Sequence, residues 1–159
     1  MARTPAPFHM GKALGVQGNP AAWRLALYFP HKDRAKEPIN AERYVHGCMD
    51  ILTHINRGAT RLPLAEGTWL LSDPPAPTAS TTTRETLEQA GLILEDTTVV
   101  YSYIFDVDRF IRQFDWIKVA FYTFGEETNQ NELFLEYKGE LKAGFFDRAY
   151  RIPRSIFLG

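Results

Sequence analysis

The sequence predicts an α+β domain: a four-stranded antiparallel sheet with two helices on one face, the βαββαβ order of ferredoxin-like domains. Three observations carry that expectation. Strand-like runs rich in alternating, β-branched and aromatic residues recur at 23–29, 68–72, 97–105 and 132–137. Two other segments, 41–57 and 106–124, repeat apolar residues at three- and four-residue steps, the period of a helix with one buried stripe. The order is strand, helix, strand, loop, strand, helix, strand, with no internal repeat.

The first 20 residues are rich in Pro, Gly and Ala without apolar periodicity, and read as an extended or mobile arm. In the first strand Trp23, Leu25, Leu27 and Phe29 alternate with Arg24 and Tyr28, and Pro30, which lacks an N–H, ends the run. After a polar loop Asn40 is placed to cap a helix whose stripe is Tyr44, Cys48, Ile51, Leu52 and Ile55, with Gly58 as its left-handed terminus. Pro63 and Gly67 mark an irregular approach to the second strand, and the Pro-, Ser- and Thr-rich stretch from Ser72 reads as an insertion over 72–92 in which RETLEQAG forms two helical turns. The run TTVVYSYIF is apolar on both faces and so predicts a central strand. Asp106 caps the second helix, whose stripe is Val107, Phe110, Phe114, Ile117, Phe121 and Phe124, and Gly125 is expected to stop it. The main domain thus spans 21–140, and residues 141–159, which mix aromatics with Arg148, Arg151 and Arg154, read as a basic arm packed on the body or on a neighbour.

Composition bounds the function. The chain has 159 residues, 45% of them hydrophobic and 23% charged, which suits one folded domain and excludes a wholly disordered chain. One cysteine, Cys48, excludes an internal disulfide and any multi-cysteine metal or iron–sulfur site. The net charge of -1 argues against a general polyanion binder. That total hides basic ends, +5 over 1–61 and +3 over 141–159, around an acidic middle of −9 over 62–140. No apolar signal-peptide core and no run near the ~20 residues of a membrane span is present, so the expected location is the cytoplasm, without membrane contact.

The run Leu27-Tyr28-Phe29, the helix ending Gly58-Ala59-Thr60, the turn Glu66-Gly67-Thr68-Trp69 and the later Phe124-Gly125-Glu126-Glu127 resemble small uncharacterised bacterial ferredoxin-like proteins of the "domain of unknown function 3574" group. The resemblance spans about 23–137, and Glu127-Thr128-Asn129-Gln130 departs from the group's last motif. It implies the fold and no activity.

The candidate chemistry is sparse. Asp50 and His54 share a helix face, where they form either a tautomer-fixing pair or a solvated ion pair. His46 lies two turns from His54, too far for joint metal ligation. Cys48 falls on the apolar stripe and reads as a buried structural thiol. Glu126 and Glu127 read as an acidic turn. No phosphate-binding loop, dinucleotide motif or nucleophile elbow occurs, and no cofactor or metal is expected.

The informative surface is the sheet face away from the helices. Tyr28, Trp69, Tyr101 and Tyr103 are its candidate binding residues, and Arg148, Arg151 and Arg154 are candidate partner contacts. The leading expectation is a non-enzymatic interaction protein that self-associates or docks on a protein through this face and its arms. The alternative is a small-molecule enzyme or ligand binder with a pocket near Glu66, Trp69, Tyr101 and Tyr103. A further alternative is nucleic-acid binding by the basic ends, against which the acidic middle and the missing RNA-recognition consensus both argue.

Overall fold

The computed structural model describes residues 10–16, 21, 23–76, 78–141 and 144–158. Its element order is α1 (Met10–Leu14), β1 (Trp23–Pro30), α2 (Glu42–Asn56), β2 (Thr60–Leu70), α3 (Thr83–Gln89), β3 (Leu92–Ile104), α4 (Val107–Glu127), β4 (Glu132–Leu141), β5 (Gly144–Pro153) and α5 (Arg154–Phe157). The class is α+β with one antiparallel sheet, ordered β2-β3-β1-β4-β5.

The sheet has five strands among the described residues, not four. The expected arm at 141–159 supplies the fifth: β5 pairs along β4 from Leu141↔Gly144 to Glu132↔Pro153. Its arginines are engaged within the chain. Arg151 donates to Glu132, Arg154 donates to the Gln130 carbonyl at 2.8 Å, and Arg148 reaches the Asp147 carbonyl at 3.3 Å. The arm escaped the pattern because β5 buries almost nothing, so its residues show no alternation. At the other end, α1 and the turn at Gly15 (φ 68) occupy part of the expected extended arm, and the rest of it, 1–9 and 17–20, lies outside the described residues.

The helix-facing side of the sheet presents Leu25, Leu27 and Phe29 from β1, Val100 and Ile104 from β3, and Leu133 from β4. Against them lie Val45, Cys48, Leu52 and Ile55 of α2 and Phe110, Ile117, Phe121 and Phe124 of α4, all buried. Of two buried polar groups on that side, Ser102 is satisfied, donating to the Gly58 carbonyl and accepting from Asn56 Nδ2 at 3.0 Å, while Asn56 Oδ1 has no partner.

Helix ends follow local chemistry with three departures. Asp106 caps α4 through the Arg109 N–H at 3.0 Å. The N-cap of α2 is Ala41, without a side-chain cap, and Asn40, expected there, lies one residue earlier and accepts the Glu42 N–H at 3.0 Å. The left-handed residue after α2 is Arg57 (φ 70), not Gly58, because the helix ends one residue sooner. Gly125 does not stop α4, which runs on to Glu127. Gly125 is instead a contact point: a Cβ there would lie 2.9 Å from Leu133 Cδ1 and 3.0 Å from the Phe157 ring. Gly125→Ala is therefore expected to destabilise the fold by about 1–3 kcal/mol, read as a lower urea midpoint. An unchanged midpoint would show that Leu133 and Phe157 move aside at no cost.

One irregularity shapes the other side of the sheet. The β2–β3 register shifts between Leu62 and Ala65, where β2 carries one residue more than β3. Pro63 sits in the shift and has no N–H to lose. Such a bulge bends a strand pair. Beyond it the β2–β3 hairpin curls over the helix-free face. Leu70 and Leu71 consequently share a cleft with Glu132 and Phe134 of β4, which a flat sheet of this order would hold roughly 14 Å away.

Candidate functional site: a cleft under the curled hairpin

The cleft is narrow and open at its mouth, with a cavity volume of about 40 Å³. Tyr28 and Pro30 come from β1, Ile93 and Glu95 from β3, Phe134 from β4, and Leu70 and Leu71 from the hairpin. The loop after β1 adds Lys32, held in place because Gln130 Nε2 donates to the Lys32 carbonyl at 3.1 Å.

Strand alternation decides which side chains enter. Tyr28 pairs with Val99 and Pro30 with Thr97, so these four share the helix-free face, and Glu95 is the next β3 residue on it. Opposite Glu95 stands Gly67, which has no side chain to fill the space. Glu95 is only 7% exposed, yet its Oε2 has no hydrogen-bond partner, and the nearby Thr97 Oγ1 is also buried and unpartnered. Orphaned buried polar atoms are costly and uncommon. Burial lifts the Glu95 carboxyl from its ordinary 4.5 to about 7, opposed by the Lys32 N–H and ammonium. Tyr28 donates to Glu136 Oε1 at 2.8 Å, and burial with that carboxylate pushes its hydroxyl to about 12, so it stays a donor. The Tyr28 ring meets Phe134 edge-on at 4.8 Å. Together these form an aromatic and aliphatic cleft with one buried carboxyl that titrates near neutrality, a setting in which a cationic group gains strongly from the charged form.

The sequence-predicted residues divide. Tyr28 lines the cleft. Tyr101 and Tyr103 lie further along the same face, packed edge-on at 5.9 Å, with the Arg24 guanidinium 5.5 Å from the Tyr101 ring centre. Tyr103 is 49% exposed and borders a second depression with Arg24, Lys138 and Asp147. Trp69 pairs by backbone with Ile93, and its side chain lies outside the described part of the structure. Glu66 pairs with Asp96 on the opposite face, so the carboxyl that reaches the cleft is Glu95. Sequence reading passed over Glu95 because it sits in LILEDTT, where a charged residue looks like a strand's wet side. The clue was the flanking Ile93 and Thr97 at the same alternation.

The remaining candidates are structural. Cys48 is buried and its thiol is pushed to about 12. His54 stacks on Trp116 at 5.7 Å, rather than bonding Asp50. Glu127 accepts from the Tyr44 hydroxyl and from Arg43, whose contacts lower its pKa. His46 pairs with Glu42 at 3.3 Å, and Glu42 also takes Arg61. Among the described residues no three His, Cys, Asp or Glu side chains converge as metal ligands, and no helix is long and apolar enough to cross a membrane.

No protein-family model matches the chain, and neither does any curated protein. Its fold does match solved structures. A phage SAM lyase in complex with S-methyl-5'-thioadenosine aligns over 86% of this chain and 93% of its own, at a TM-score of 0.54 and 11% identity. The apo state of a phage SAM lyase aligns over 83% and 89%, at 0.50 and 12%. At such identity the likeness is one of fold. The expectation of a non-enzymatic interaction protein is corrected on this finding: the solved structures that share the fold are enzymes, and the C-terminal arm meant for a partner supplies a strand of the chain's own sheet.

Proposed function

We propose that this protein is a small-molecule enzyme acting on an adenosyl sulfonium compound in the cleft beside Glu95, as a lyase of the SAM-cleaving kind. The observation that carries this reading is the buried Glu95 carboxyl, whose Oε2 has no hydrogen-bond partner, placed in a cleft with Tyr28 and Phe134 on a fold that a SAM lyase matches over 86% of the chain. The strand order β2-β3-β1-β4 with α2 and α4 on one face supports a ferredoxin-like core, to which β5 adds an edge.

The chemistry suits the cleft. S-adenosylmethionine carries its positive charge on sulfur. S-methyl-5'-thioadenosine keeps the methyl and adenosyl groups, so the bond that breaks is the one to the amino-acid chain. The electron pair of that bond goes to sulfur, and the sulfonium becomes a neutral thioether. A lyase uses no water, so the γ-carbon that loses sulfur gains a bond from the fragment's own carboxylate oxygen, and the four-carbon fragment leaves as a ring. Glu95, ionised, is the counter-ion that holds the sulfonium in a low-dielectric site. Tyr28 and Phe134 offer ring surface to the adenine, and the Lys32 loop closes one side.

Incubation of the purified chain with S-adenosylmethionine tests the reading by chromatography. Time-dependent S-methyl-5'-thioadenosine, lost when the cleft is blocked by that product, is the expected result. Saturable product binding without turnover would favour a ligand-binding protein. Neither turnover nor binding would end the proposal.

A further inference from the structure

The cleft does not end at Glu95. A second, polar half adjoins it, a cavity of about 480 Å³ that shares Leu70, Leu71, Asn131, Glu132 and Phe134 with the first. Its charged groups are Arg151 of β5, Glu132 of β4 and Asp73 of the hairpin end. Arg151 turns two N–H groups on one oxygen of Glu132, Nε at 3.0 Å and Nη2 at 2.7 Å. Asp73 is close enough to interact with the same guanidinium. One cation thus stands among two carboxylates beside the cleft that holds Glu95. The pairing is not needed to hold the strands, because the Arg151 side chain is 66% exposed and such a pair contributes little to stability.

Resting on the reading above, we infer that this polar half is the subsite for a zwitterionic α-amino-acid head. The planar guanidinium of Arg151 receives the α-carboxylate, a geometry it matches with paired N–H donors. Glu132 and Asp73 receive the α-ammonium. Glu95 and Arg151 then divide the substrate, one taking the sulfonium and the other the amino-acid end.

Three ligands separate the two roles by calorimetry: S-methyl-5'-thioadenosine, with neither charge feature; S-adenosylhomocysteine, with the amino-acid head and a neutral sulfur; and S-adenosylmethionine, with both. Arg151→Ala is expected to weaken S-adenosylhomocysteine at least tenfold, leave S-methyl-5'-thioadenosine within twofold, and leave the melting curve unchanged, with partial recovery in Arg151→Lys. Unchanged S-adenosylhomocysteine binding would overturn the subsite while leaving the proposed function standing. Equal weakening of both ligands would overturn it too, by assigning Arg151 a structural role. If the unaltered chain binds none of the three, the adenosyl reading itself fails and the subsite falls with it.

Discussion

Glu95→Gln is expected to weaken binding of S-adenosylmethionine at least tenfold while making the protein more stable above pH 7. Both effects come from one buried carboxyl. In the folded chain its pKa is about 7 against an ordinary 4.5. Between those values the unfolded chain has released the proton and the folded chain has kept it. Stability therefore falls as pH rises from about 4.5 to about 7, and is level above. Discounted for solvent screening at the open cleft, the whole fall is on the order of 1–3 kcal/mol. Glutamine cannot ionise and removes it, so at pH 8 the variant is expected to melt higher by roughly 2–10 °C. Above pH 7 the unaltered chain has a carboxylate ready for the sulfonium, and binding of S-adenosylmethionine strengthens as pH rises through 7. Binding of the neutral product shows no such rise. Parallel stability profiles for the two proteins between pH 5 and 8, measured by thermal melts, would refute the account. A stabilising substitution that costs binding is also the usual signature of a site kept strained for function.

The largest loss of stability is expected from Phe29→Ala. Phe29 is 0% exposed and stands between the sheet and α4, edge-on to Phe121 at 5.4 Å and to Phe124 at 4.9 Å. Truncation removes the ring from the core and also breaks both aromatic contacts. The expected cost is about 3–5 kcal/mol, a large part of the 5–15 kcal/mol that holds a typical domain. It should be read from the urea midpoint with an unchanged slope. Because Phe29 immediately follows the cleft residue Tyr28, the variant is also expected to lose ligand binding in proportion to the unfolded fraction. A midpoint loss worth under 1 kcal/mol would mean that α4 collapses onto the vacated space.

The elements with one buried face were legible. Trp23, Leu25, Leu27 and Phe29 alternate because one side of β1 meets the helices, and the stripes of α2 and α4 repeat because each helix packs by one flank. Strand β5 was not legible: its pairing is made by backbone groups, which every residue carries alike. The start of β2 was hidden by Pro63, which reads as a break and is in fact the bulge. Similarly Gly125 reads as a helix stop, when its lack of a Cβ serves the contact with Leu133 and Phe157.

The candidate site divides the same way. Tyr28 and the aromatic helix-free face could be inferred from alternation alone. The choice of Glu95 over Glu66 could not, since the two carboxyls look alike in sequence and only strand register says which one turns inward. Nor could the meeting of Arg151, Glu132 and Asp73. Local periodicity determined which residues form the core, because burial of one face leaves its mark at fixed spacing along the chain. The cleft was decided by tertiary structure, because a bend in one hairpin joins residues some sixty positions apart, and no spacing records such a distance.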